Sequence, residues 1–240
     1  GFIDCYDTDC SVSTFCKGFY LGDDALCEAT PPAFPKFTMA LDFASPNQTT
    51  NHLSRMAVGD LNRDGKPEIN TMNRYTDELY ILNGTDGQIQ KKLKVNFDPN
   101  WEVAIGNIDN DNCGEIFFFG YENPSGSAND GYYLYSYDCD LNFIWKTEEK
   151  LRGDPINYGL ADFDGDGKVE LYVKDEIYDA HTGVRIIKST ASSWTKINGG
   201  PVAVDMEGDD KLELVVGLSI YSVDLGARTL DGGSLTLLKS

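Results

Sequence analysis

Short runs of apolar, strand-forming residues recur across residues 56–240, separated by polar turns rich in Gly, Asn and Asp. Short apolar runs bounded by turn signals mark strands. The runs fall into four groups of four. The first group is Met56-Ala-Val, then 69–73, 78–82 and 88–95. The second is Val103-Ala-Ile, then 115–121, 132–137 and 141–146. The third is 158–161, 170–174, 177–179 and 184–188, and the fourth is Val202-Ala-Val, then 213–217, 220–223 and 235–238. Asn83-Gly84 and Asp86-Gly87 are strong hairpin steps. Helical periodicity competes nowhere, so the pattern predicts an all-β chain.

The connection between the first and second run of every group is a nine-residue acidic loop. The copies carry oxygen side chains at positions 1, 3, 5 and 9: Asp60, Asn62, Asp64 and Glu68; Asn107, Asp109, Asp111 and Glu115; Asp162, Asp164, Asp166 and Glu170; and Asp205, Glu207, Asp209 and Glu213. A hard cation such as Ca²⁺ takes about six to eight oxygens at about 2.3–2.6 Å, and a curled loop can supply most of them. Position 6 is Gly65, Asn112, Gly167 or Asp210, residue types that tolerate a left-handed backbone. An EF-hand would need a bidentate Glu at the twelfth position, where this chain has Thr71, Phe118, Val173 and Val216. The unit is therefore strand–loop–strand, with up to four Ca²⁺ expected. The alternative of plain acidic turns weakens with four copies in register.

The loops start at 60, 107, 162 and 205, giving spacings of 47, 55 and 43 residues. A period of about 40–50 residues in an all-β chain suggests four-stranded propeller blades. Gly59-Asp-Leu-Asn-Arg-Asp-Gly-Lys-Pro-Glu68 and Ala161-Asp-Phe-Asp-Gly-Asp-Gly-Lys-Val-Glu170 resemble the calcium loops of FG-GAP (VCBS-type) repeats. Those repeats occur in integrin α-subunit propellers and in secreted bacterial proteins. The resemblance covers residues from about 53 to 240. It implies a β-propeller with Ca²⁺ clamped between the first and second strands of a blade. It also adds the position-7 carbonyl to each ligand set, from Lys66, Cys113, Lys168 and Lys211. Asn107, Asn112, Glu207 and Asp210 depart from the pattern and put affinity in question more than fold.

Blades are expected at about 53–98, 99–150, 151–196 and 197–240, preceded by a Cys-rich cap or linker at 1–52. Four blades are few, and an open ring leaves unpaired strand edges. The chain is accordingly read as part of a larger ring, a piece of a longer protein.

Composition narrows the partners. A net charge of −19 argues strongly against nucleic acid, whose backbone would be repelled, and no apolar run is long enough for a membrane span. Cys5, Cys10, Cys16, Cys27, Cys113 and Cys139 make an even count, which suggests disulfides and an extracellular, secreted or cell-surface setting. Cys113 and Cys139 lie in turns that an up-and-down sheet brings to the same end, so they are expected to pair. Zinc at the first four is a lesser alternative.

No H-E-x-x-H, G-x-S-x-G or phosphate-cradling loop is present, and the only histidines are His52 and His181. No catalytic residue is assigned. A binding module for protein or carbohydrate is favoured, engaging its partner on the face opposite the acidic loops. Trp101 and Trp194, each just before a first strand, are candidates there, although both also suit the filling of gaps between blades. The other readings are a polysaccharide lyase, since some calcium-bearing propellers have that activity, and a structural spacer.

Overall fold

The computed structural model describes residues 55–73, 75–95, 98–109, 111–121, 132–151, 157–188 and 200–239. These all lie within the compact unit Phe43–Ser240. The expected cap at 1–52, with Cys5, Cys10, Cys16 and Cys27, lies outside the described residues, as does Trp194.

Among the described residues, sixteen strands form four antiparallel four-stranded sheets, each a simple meander in chain order. The first holds β1 (Ala57–Gly59), β2 (Glu68–Asn73), β3 (Glu78–Asn83) and β4 (Ile89–Lys94). The second holds β5 (Asp98–Gly106), β6 (Glu115–Tyr121), β7 (Tyr133–Tyr137) and β8 (Phe143–Lys146). The third holds β9 (Tyr158–Ala161), β10 (Glu170–Val173), β11 (Glu176–Asp179) and β12 (Arg185–Ile187). The fourth holds β13 (Val202–Val204), β14 (Glu213–Val216), β15 (Ser219–Asp224) and β16 (Ser234–Lys239). Among the described residues no helix is long and apolar enough to cross a membrane.

Alternation within the strands decides how the sheets stack. Met72, Leu79 and Ile81 of the first sheet pack with Ile116, Phe118, Tyr135 and Tyr137 of the second. The opposite face of the second, with Phe117, Phe119, Leu134 and Trp145, packs with Leu171, Val173 and Tyr178 of the third. Tyr172, Ile177 and Ile186 then meet Leu214 and Leu225 of the fourth. Each buried aromatic or aliphatic side chain contributes about 1.5–3 kcal/mol. The first strands of successive sheets neighbour one another, β1 with β5, β5 with β9 and β9 with β13. Small residues permit that approach: a Cβ on Gly59 would lie 2.7 Å from Ile105, and one on Gly106 would lie 2.6 Å from Leu160. The outer face of the fourth sheet is exposed, with Val202 at 52%.

All four sheets share a further irregularity. The register shifts between the third and fourth strands, at Ile81/Leu82, Ser136/Tyr137, Ile177/Tyr178 and Ile220/Tyr221. Such bulges increase local twist and turn the outer strand away from its neighbour.

Two expectations are corrected. Trp101 does not precede a first strand but lies inside β5, which begins at Asp98 and carries a bulge between Asn100 and Val103. The run expected from Leu141 starts at Phe143, because Leu141 is left-handed (φ 63°) in a turn capped by Asp138, which accepts from the Asn142 N–H at 2.8 Å.

Candidate metal centre

Each acidic loop is a hairpin connection from a first to a second strand, and its position-9 Glu opens the second strand. Glu68, Glu115, Glu170 and Glu213 are all buried. In every copy one carboxylate oxygen accepts the backbone N–H of position 2: Leu61 to Glu68 at 2.9 Å, Ile108 to Glu115 at 2.9 Å, Phe163 to Glu170 at 2.9 Å and Met206 to Glu213 at 2.8 Å. That bond fixes the carboxylate and leaves its other oxygen for a further partner. A buried charge needs such partners, because desolvation is expensive.

The carboxylates at positions 1 and 5 curl the loop around themselves. Asp60 accepts from Asp64 N–H (3.1 Å) and Gly65 N–H (2.8 Å), and Asp162 accepts from Asp166 (3.1 Å) and Gly167 (2.8 Å). Asp205 accepts from Gly208 at 2.6 Å and Asp210 at 3.1 Å. Position 5 closes the next turn, since Asp64, Asp111, Asp166 and Asp209 accept from the N–H of Lys66, Cys113, Lys168 and Lys211. Gly65 (φ 84°), Gly167 (φ 83°) and Asp210 (φ 66°) are left-handed as position 6 leads one to expect, whereas Asn112 is not. The second loop closes differently: the Asn107 side-chain amide donates to the Asp111 carbonyl at 2.8 Å.

Two loops bring three carboxylates together. Oxygens of Asp109, Asp111 and Glu115 lie within 4.8 Å of one another, as do those of Asp162, Asp164 and Asp166. Among the described residues no three carboxylates of the first or fourth loop meet within that radius. In the first loop Asn62 stands at position 3, and its amide donates to Glu68 at 3.4 Å. Like charges at about 4 Å repel by about 1 kcal/mol in water and about 4 kcal/mol at an effective dielectric of about 20. Burial, with Asp109 and Asp111 nearby, pushes the Glu115 carboxyl up. Burial also raises Glu170 to about 7, even though the Phe163 N–H and Arg228 oppose the shift. A divalent cation would relieve both costs.

The donor set fits such an ion. The Asn107 side-chain oxygen is buried without a hydrogen-bond partner among the described residues. In the third loop a cationic group lies against the carboxylates. The Arg228 guanidinium, from the connection between β15 and β16, donates to Asp164 at 3.0 Å, pairs with Asp166 at 3.1 Å and donates to Glu170. Two acidic clusters could therefore hold a metal ion.

Cys113 and Cys139 form a disulfide, with Cα atoms 5.2 Å apart. It joins position 7 of the second loop to the β7–β8 turn. Lys91 of the first sheet donates to the Cys139 carbonyl at 2.8 Å.

Sequence reasoning missed Arg228, which no motif marks. It also missed two side chains at the end opposite the loops: Tyr75, in the β2–β3 turn and 72% exposed, and Leu218, in the β14–β15 turn and 85% exposed. The connection at 122–131 lies outside the described residues.

No protein-family model matches the chain, and no curated protein matches it. Among solved structures its fold is similar to that of the V. cholerae biofilm matrix protein Bap1, at TM-score 0.53 and 21% identity over 82% of this chain and 33% of that one. It is similar as well to rhamnogalacturonan lyase YesW, at TM-score 0.50 and 17% identity over 76% of this chain and 37% of that one. The chain thus spans about a third of the length of each of these structures. At such identities the likeness is one of fold.

Proposed function

We propose that this chain is a calcium-binding β-propeller module of the FG-GAP type, part of a larger ring, which works outside the cell in adhesion by binding protein or carbohydrate. The observation that carries the reading is the fourfold recurrence of a buried position-9 Glu tied to the position-2 N–H, next to carboxylates curled by their own backbone. Adjacent first strands and face-to-face sheets suit blades around an axis. The fold likeness to a biofilm matrix protein and the Cys113–Cys139 bridge are compatible with an extracellular setting. The ligands would be the side chains at positions 1, 3, 5 and 9 with the position-7 carbonyl, at up to four sites. The partner would meet the end that presents Tyr75 and Leu218.

A second reading, a polysaccharide lyase, is favoured by the fold likeness to a rhamnogalacturonan lyase. Calorimetric titration of EDTA-stripped protein with Ca²⁺ tests the metal, and an array of acidic and neutral glycans tests the partner. Several bound ions with saturable binding and no turnover would support the adhesion module. Release of unsaturated fragments would replace it with the lyase, and silence toward Ca²⁺ would end the metal reading.

A further inference from the structure

The nine residues 225–233 connect β15 to β16 but fold back over the third sheet. The Asp231 N–H donates to the Arg185 carbonyl at 2.9 Å, and the Gly233 N–H donates to the Ile186 carbonyl at 3.0 Å. The Asp231 carboxylate grips the Arg185 guanidinium with two bonds, at 2.8 and 3.1 Å. The segment is thus a strap between the third and fourth sheets. Its two left-handed non-glycine residues are Arg228 (φ 53°) and Asp231 (φ 53°), the same two that form its ion pairs. Left-handed backbone costs an ordinary residue about 1–2 kcal/mol, a cost that the ion pairs and the backbone bonds to the third sheet together offset.

Arg228 reaches positions 3, 5 and 9 of the third loop at once. Those are the oxygens that a divalent ion would need. Arg228 occupies one oxygen of each of these carboxylates, and a guanidinium and a divalent cation held together at contact distance by the same three groups would repel each other. We infer that Arg228 is a tethered counter-cation of the third loop, and that Ca²⁺ entering this loop displaces it and loosens the strap from the third sheet. The inference rests on the metal reading above. It lowers the affinity of the third loop below what its carboxylates alone would give, and couples its occupancy to the contact between two sheets. An arginine-seated state populated about nine parts in ten lowers apparent affinity about tenfold.

The test is calorimetric Ca²⁺ titration of the full chain beside hydrogen exchange of peptides covering 225–233. Asp166→Asn identifies the third-loop site by deleting it. Arg228→Ala is expected to tighten that site about tenfold. Lys188→Gln removes another positive charge beside the strap, one that lies near Asp231, without emptying the seat, and is expected to change affinity less than about threefold. In the parent protein Ca²⁺ should lower protection of the Asp231 and Gly233 amides, and Arg228→Ala should do so without Ca²⁺. Arg228→Lys, which keeps charge but not the forked contact, should fall between and serves if the alanine variant unfolds. Equal effects of the Arg228 and Lys188 changes, or a strap that Ca²⁺ leaves protected, would overturn the inference. Binding elsewhere with a third loop silent even in Arg228→Ala would overturn it alone, whereas no Ca²⁺ at any loop would overturn the metal reading with it.

Discussion

Cys113 and Cys139 are covalently joined across 26 residues of the second sheet, and the Cys139 N–H also points at the Cys113 sulfur at 3.1 Å. The bridge ties position 7 of the second loop, whose carbonyl is a proposed ligand, to the turn on which Lys91 of the first sheet closes. One cross-link therefore steadies both a hairpin and an acidic loop. Closing a loop of this length in the unfolded chain is worth about 3 kcal/mol. The double replacement Cys113→Ser with Cys139→Ser is expected to lower stability by about 2–4 kcal/mol, read by chemical unfolding, and to weaken Ca²⁺ at the second loop. Unchanged affinity would separate the bridge from the site.

Asn70 offers a test of packing. It is fully buried in β2, and neither its amide nitrogen nor its oxygen has a partner among the described residues. The matching position, two residues after the position-9 Glu, is Phe117, Tyr172 and Val215 in the other sheets. Asn70→Val should stabilise the protein by about 1–2 kcal/mol, because an unpaired buried amide costs that much. A lower unfolding midpoint would mean that a bound water or a change in backbone pairing satisfies the amide.

Glu115 separates the loop's two tasks. Glu115→Gln keeps an oxygen for the Ile108 N–H but removes the charge that Asp109 and Asp111 oppose. Metal-free stability is expected to hold or rise slightly, while Ca²⁺ affinity at the second loop falls at least about tenfold through the lost ligand charge. Glu115→Ala strands the Ile108 N–H and should destabilise by about 1–3 kcal/mol. Thermal melting in EDTA distinguishes the two variants.

The strap carries its own pH signature. Arg185, only 6% exposed, holds the Asp231 carboxyl below its usual value by hydrogen bonding. A depressed folded pKa adds stability that is fully present above the unfolded value and is lost as pH falls through the folded one. Because Asp231 is 35% exposed, solvent screening limits the contribution to about 1 kcal/mol. The gap in melting temperature between the parent and Asp231→Asn should persist at neutral pH and close below the ordinary carboxylate range. A gap that grows on acidification would contradict the assignment.

Strand positions were readable because their causes are local. Short apolar runs bounded by turn residues place 115–121, 158–161 and 202–204 where the structure has β6, β9 and β13. The acidic loops were legible for the same reason, since their hydrogen bonds join residues two to seven apart. Two adjustments came from context. The register of β5 on β6 extended the first strand of the second sheet through Trp101, and a capped turn delayed β8 to Phe143.

By itself, then, the sequence determined the all-β class, the four strand quartets and four copies of a loop with oxygen side chains at the same positions. The tertiary structure decided which copies bring three carboxylates together and which cation reaches them. Arg228 stands 58 residues from Glu170 and 64 from Asp164, separations over which no period or turn rule acts. Only the stacking of the fourth sheet on the third, driven by burial of residues such as Leu214 and Leu225 against Ile177 and Ile186, carries that guanidinium to the loop.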